Sequence, residues 1–197
     1  RLAPAPGAAH AASRRRARAA RGLLQHVVEV GKIARAAAAT MGGDVDLVTA
    51  GALLHDIGKV GIPDSILLKP GRLTPDEWVI MRTHTTIGYE ALVRAEQQTQ
   101  IQIPFLSCAK EISLYHHEKW DGSGYPHQLS GTKIPLSARL MAISDVFDAL
   151  VSPRVYKKRM SFREARILIE GEAMRHFDPN LVVAFCSCYE DFKAIAL

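Results

Sequence analysis

Cysteine is scarce in this 197-residue chain: Cys108, Cys186 and Cys188 are the full complement. An odd count without repeated spacing supplies neither a disulfide framework nor a zinc knuckle, and it fits reduced thiols in a cytoplasmic protein. Long apolar runs are missing too. No stretch approaches the roughly 18 consecutive apolar residues that a membrane span needs, so no membrane segment is expected. There is no convincing period-2 alternation of the kind strands show, and no internal repeat. Acids are absent from the first 28 positions, which hold Arg1, Arg14, Arg15, Arg16, Arg18 and Arg21; beyond them bases and acids nearly balance. The net charge of +5 therefore belongs to one terminal segment, and a basic groove for DNA or RNA is not supported.

What the chain does have is an ordinary globular composition, 48% hydrophobic and 23% charged, enough for one domain with a real core. Residues 1–13 are rich in Ala, Pro and Gly and lack periodicity. Residues 1–21 read as a linker or frayed start, of the kind that follows an upstream domain. Nearly everything after it reads as helix, so the fold class is all-α. Leu23, His26, Val27, Val30, Ile33, Ala34 and Ala37 recur at helical spacing up to Gly42-Gly43. Asp44 or Asp46 caps a second helix carrying Leu47, Ala50, Leu53 and Leu54 and ending near Gly58. Thr74-Pro75-Asp76-Glu77 is a capping box with Pro at the first helical position. It opens a helix through Trp78, Met81, His84, Ile87 and Leu92, followed by a polar, loop-like run at residues 96–100. The next helix, from about Pro104 to His116, turns Leu106, Ala109 and Ile112 inward.

Residues 118–135 hold Gly122, Gly124, Gly131, Pro126 and Pro135 and form a long loop, which in a compact domain is a functional feature or a disordered one. Trp120 and Tyr125 argue for order. Leu136 to Leu150 is helical again, up to Ser152-Pro153. Ser161-Phe162-Arg163-Glu164 makes a second capping box, and Asp178-Pro179 caps a last helix.

The chemistry-bearing residues are eight histidines and a few acids on apolar helices. His55 and Asp56 follow an apolar helix directly, where both side chains need partners. His26, His84, the pair His116-His117, and Asp145 within an apolar run are further candidates. Imidazole with carboxylate suits iron, manganese or zinc. Ligands drawn from several helices of a bundle can build a dinuclear site, with Asp56 bridging, that clamps both oxygens of a phosphoester displacement. Each residue also has an ordinary alternative. His26 can be a surface helix histidine, His84 can sit on a solvated face, His116-His117 can end a frayed helix, and Asp145 can pair with Arg139. His10, His127 and His176 are read as surface residues.

His55-Asp56-Ile57-Gly58-Lys59, together with Gly124-Tyr125-Pro126 in the long loop, resembles the HD-GYP family of bacterial cyclic di-GMP phosphodiesterases, a subset of the HD phosphohydrolase superfamily. The resemblance covers about residues 22–192. It rests on three long stretches: LLHDIGKVGIPDSILLKPGRLT, HHEKWDGSGYP and ARLMAISDVFDALVSPRVYK. It implies an HD-domain helical bundle over residues 22–197 with a long Gly-Tyr-Pro loop. It also implies two divalent transition-metal ions, iron or manganese, held by His26, His55, Asp56, His84, His116, His117 and Asp145. Lys59 would lie beside the metals and the phosphate, sharing the catalytic work with His55 and Asp56. Lys59, Gly124, Tyr125, Pro126, Arg154 and Lys157 would meet the substrate, with Asp148 behind the ligands. Members with three metals carry a glutamate one turn before the first histidine; Gly22 stands there, which implies two. Val155 replaces the proline of the family's usual Arg-Pro-Tyr-Lys.

The implied activity is hydrolysis of a cyclic dinucleotide, cyclic di-GMP, to linear pGpG and, with a second cut, GMP, under control of an upstream regulatory domain or signalling partner. The alternatives are a weakly catalytic cyclic di-GMP sensor and another HD phosphohydrolase acting on mononucleotides or (p)ppGpp.

Overall fold

The computed structural model describes residues 25–36, 38–40, 44–99, 104–152 and 159–196. The 1–21 linker, Gly22, the Gly42-Gly43 stop, Arg154 and Lys157 lie outside the described residues. The described residues form ten α-helices and two 3-10 turns, and they contain no strand, only an isolated bridge between Ala173 and Phe177. The all-α expectation is borne out.

Helix α1 covers residues 25–36 and buries Val30, Ile33 and Ala34. Helix α2 (Val45–Ala52) starts where the Asp44 carboxylate accepts from the Asp46 and Leu47 amides, satisfying two of its orphan donors. Its buried residues are Val48, Gly51 and Ala52; of the apolar residues read on this stretch, Leu47 and Ala50 are half-buried, Leu54 packs against Leu92 and Leu106, and Leu53 is exposed. It also ends earlier than Gly58, because the chain tightens into i→i+3 hydrogen bonds and a 3-10 turn at Ile57–Gly61. A short helix α3 (Asp64–Leu67) follows.

Thr74 and Glu77 form the expected capping box at the start of α4 (Pro75–Arg82). The single helix expected from there is in fact two. Thr83 closes α4 with a backbone bond to Ile80, and α5 (His84–Thr99) sets off afresh with His84 as its first residue. The polar run expected to loop is helical through Thr99, where Glu96 pairs with Lys110 of α6 (Pro104–Tyr115) at 2.6 Å. A cross-helix ion pair explains why polar residues stay helical there.

Helix α7 (Leu136–Val151) is the spine. Met141 packs on one side with Val30, Ala34, Val48 and Ile112, whereas Leu140, Ile143 and Phe147 pack on the other with Ile33, Ile169, Phe177 and Phe185. That second cluster comes from α8 (Phe162–Gly171), α9 (Pro179–Ser187) and α10 (Tyr189–Ile195). Ser161 and Glu164 form the second capping box, and Asp178 caps α9. The one closing helix expected from sequence is broken at Cys188, which ends α9 and precedes α10.

The loop between α6 and α7 is tied down. Glu118, almost fully buried, accepts from the His127 and Leu129 amides at 2.6 and 3.1 Å. The Trp120 and Asp121 amides donate to the carbonyls of His176 and Arg175. Arg139 reaches from α7 to the Asp178 carboxylate and lies over the Trp120 ring. His176, read from sequence as a surface residue, is half-buried with its ring stacked on Phe177 at 4.3 Å, and burial pushes its pKa down to about 4. No helix of the described residues is long and apolar enough to cross a membrane.

Candidate metal centre

Local geometry prepares each ligand candidate before tertiary packing gathers them. Side chains three apart in a 3-10 turn eclipse one another. The tight path after α2 accordingly sets Lys59 Nζ against Asp56 Oδ2 at 2.5 Å. Gly58 lets that turn lie flat on the start of α5: a Cβ there would fall 1.9 Å from the His84 carbonyl oxygen. The same contact brings Asp56 to His84, with Asp56 Oδ1 3.6 Å from His84 Nε2 and Asp56 Oδ2 3.3 Å from His55 Nε2.

The histidine rings form a continuous cluster. Ring centroids are 5.5 Å apart for His26 and His55, 5.3 Å for His55 and His116, and 5.1 Å for His84 and His117. His116 and His117 are 4.0 Å apart at the end of α6. Potential ligand atoms fall into two groups, each within 4.8 Å: His26, His55 and Asp56 in one, His84, His116 and His117 in the other. Asp145 of α7 faces the first group, with Oδ1 3.1 Å from His26 Nε2. It does not pair with Arg139, which is engaged by Asp178. All seven side chains expected as ligands are thus gathered in one place.

The donor set fits metal ions. His55 Nδ1 donates to the Ala52 carbonyl at 2.7 Å, His84 Nδ1 to that of Met81 at 2.7 Å, and His116 Nδ1 to that of Ile112 at 2.9 Å. A carbonyl only accepts, so each proton sits on Nδ1 and each Nε2 presents a lone pair. Those three Nε2 atoms and Asp56 Oδ1 are buried without a hydrogen-bond partner. Leaving such groups dry and unpaired is costly, and a cation is what a set of converging lone pairs lacks.

The electrostatics agree. Burial lowers the pKa of His84 and His116 and pushes that of His117 down to about 3, keeping these rings neutral and able to ligate. His26 differs. Burial alone would lower its pKa, but hydrogen bonds and charge from Asp145 and Asp148 outweigh it and push it up to about 9. Burial raises and the surrounding His55 and Lys59 lower the Asp56 pKa, and the net effect holds it well below the carboxylate range. Asp148, one turn along α7 from Asp145, takes the His26 Nδ1 hydrogen bond and so turns Nε2 inward.

The Gly-Tyr-Pro loop borders the cluster. Gly124 is obligatory, because a Cβ would sit 2.4 Å from the Lys119 nitrogen and 2.6 Å from the His117 carbonyl oxygen. That close approach lets the Tyr125 amide donate to the His117 carbonyl and stacks the Tyr125 ring on His117 at 4.9 Å. Beyond it opens a cleft of about 600 Å³ lined by Pro75, Trp78, Val79, Arg82, His117 and Tyr125. Sequence reading missed this cleft. It ran one apolar-spaced helix through Trp78 and assigned that residue no role, whereas α4 has no buried residue and Trp78 is 47% exposed. Glu118, which holds the loop, was also missed; an acid beside two histidines in a loop carries no local signal of burial.

Comparison with known proteins places this geometry. Residues 10–181 match the model of the HD domain family. A protein of Vibrio cholerae named cyclic di-GMP phosphodiesterase is 54% identical over 152 residues, covering 77% of this chain and 31% of that one. Another from the same organism, named 3'3'-cGAMP-specific phosphodiesterase 2, is 45% identical over 152 residues, covering 77% of this chain and 28% of that one. The chain thus spans about a third of the length of these curated relatives. A solved HDGYP protein of Bdellovibrio bacteriovorus shares the fold, with a TM-score of 0.63 at 19% identity over 85% of this chain and 52% of the other. On sequence and fold together, the chain belongs to the HD-domain family.

Proposed function

We propose that this domain is a metal-dependent phosphodiesterase that hydrolyses cyclic di-GMP to linear pGpG, with GMP as the product of a second cut. The observation that carries the reading is the buried set of unpaired Nε2 atoms of His55, His84 and His116 around Asp56 Oδ1. In this reading His26, His55, Asp56 and Asp145 would hold one ion and His84, His116 and His117 the other, with Asp56 lying between the two groups of ligands. Iron or manganese suits a nitrogen-rich set with two carboxylates. Two such ions, when bound, supply Lewis acidity toward phosphoryl oxygens and a nucleophile from water at neutral pH. Lys59, a quarter exposed beside Asp56, offers fixed positive charge to a phosphoryl oxygen as charge develops on it. Tyr125 walls the cleft next to His117 and helps exclude water from the reacting phosphate. Arg154 and Lys157 hold the second phosphate or a guanine edge, as a guanidinium fork permits. Regulatory input comes from another unit of a longer polypeptide or from a partner. The substrate class implies a cytoplasmic setting.

The test is metal quantitation paired with a turnover assay on anaerobically purified protein. About two ions per chain and release of pGpG are expected, and Asp56→Ala removes both metal and turnover. Absence of metal, or full activity in Asp56→Ala, refutes the reading. The name of the 45%-identical relative favours a second substrate, 3'3'-cGAMP. Faster turnover of that substrate in a panel of cyclic dinucleotides would replace cyclic di-GMP with it.

A further inference from the structure

Helix α4 is unusual for a globular protein: none of its eight residues is buried, and Trp78, Val79 and Ile80 are all exposed. Clustered exposed apolar groups next to a functional centre mark a binding surface. Trp78 and Arg82 are four apart, so they lie on one face of the helix, and both line the 600 Å³ cleft. The cleft is within the size range of small-molecule sites. The Arg82 guanidinium sits over the Tyr125 ring at 5.1 Å, and Tyr125 stacks on His117. The same cleft is thus lined by His117 of the ligand cluster, by Tyr125 stacked on it, by Arg82 over Tyr125, and by the Trp78 indole. The capping box fixes the start of α4, and only Thr83 stands between its end and His84, so Trp78 is held at a set distance from the ligand cluster.

From this arrangement we infer that Trp78 is the stacking platform for one purine base of the bound cyclic dinucleotide, with Arg82 presenting N–H donors to the edge of that base. The inference rests on the proposed phosphodiesterase reading and names the residues that grip the substrate away from the scissile bond. A base offers a flat π-face to an indole, and a guanine offers the O6 and N7 acceptors that match an arginine fork. Stacking on one aromatic ring is sequence-tolerant, so Trp78 supplies grip, and Arg82 supplies preference for guanine over adenine.

The experiment uses metal-loaded protein and cyclic di-GMP. Wild-type, Trp78→Ala and Trp78→Phe are compared by steady-state kinetics, and by quenching of tryptophan emission as cyclic di-GMP is added to chelated protein. Trp78→Ala is expected to raise KM about tenfold with kcat within about twofold, and Trp78→Phe to restore most of the loss. Because the other tryptophan, Trp120, is engaged by Arg139 away from the cleft, quenching is expected in wild-type and not in Trp78→Phe. An unchanged KM in Trp78→Ala, a loss confined to kcat, or equal quenching in wild-type and Trp78→Phe overturns the inference. A wild-type protein that binds metal yet turns over no cyclic dinucleotide sinks the phosphodiesterase reading instead, and the quenching arm still decides whether Trp78 meets the base.

Discussion

Asp148 shows how much a residue that touches no ion can decide. Its carboxylate holds His26 Nδ1, and without that bond the ring is free to turn its Nε2 away from Asp145 and His55. Partners of this kind set the basicity and orientation of a ligand. Asp148→Asn is expected to weaken metal affinity about 10–100-fold while leaving the helical signal intact, as isothermal titration and circular dichroism would show. His55, His84 and His116 are oriented by their own backbone instead. No side-chain substitution removes that, and among these candidate ligands His26 is therefore one with a mutable hinge. At this scale much was readable from sequence, because His55-Asp56 and His116-His117 are adjacent pairs whose burial demands partners. Trp78 was not. An indole at helical spacing on an apolar helix reads as core, and only the packing of α4 shows that nothing covers it.

At the scale of elements, local chemistry predicts beginnings better than ends. Thr74 with Glu77 and Ser161 with Glu164 cap their helices as their side chains dictate. The breaks at Thr83 and Cys188 are invisible in sequence, since apolar spacing runs through both and tertiary packing makes the cut. The break at Thr83 has a use: it turns His84 into the first residue of a new helix facing Asp56. The 3-10 turn and α5 can touch there because Gly58 has no side chain. Gly58→Ala is expected to cost about 1–3 kcal/mol in chemical denaturation, the range for overpacking a tight contact. Because the displaced atoms carry Asp56 and His84, metal occupancy should fall in parallel. Loss of stability with undiminished occupancy would mean that the turn and α5 move as a unit.

For the whole molecule, buried imidazoles make stability depend on pH when the ions are stripped. His117 and His176 have pKa values pushed down to about 3 and about 4 by burial, whereas an unfolded imidazole protonates near 6.5. Their contribution is complete above about pH 6.5 and is lost as pH falls through 4 and 3. His26, raised to about 9 by its two carboxylates against the pull of burial, runs the other way: its contribution is complete below about 6.5 and is lost as pH rises through 9. Thermal unfolding in chelator from pH 4 to 9 should therefore show a maximum near pH 6.5. A melting temperature still climbing at pH 9 would contradict the assignment of His26 as the charged member of the cluster. The fold class and the gathering of ligands are legible in the sequence at this scale, since helical periodicity and the ordered motifs both survive in one chain. The cleft is not, because it is bounded by α4 and the Gly-Tyr-Pro loop, which no local pattern brings together.

His26 and Asp148 are 122 positions apart, and the bond between them shuts a ring that holds most of the protein. The entropy lost in closing a ring grows with the logarithm of its length, so this is among the dearest contacts for an unfolded chain to make. Nearer neighbours, such as α5 with α6 and the 3-10 turn with α5, can form before it. The 3-10 turn and α5 already carry Asp56 and His84, so the limb that brings His26 to Asp148 is the costliest part of the centre to close.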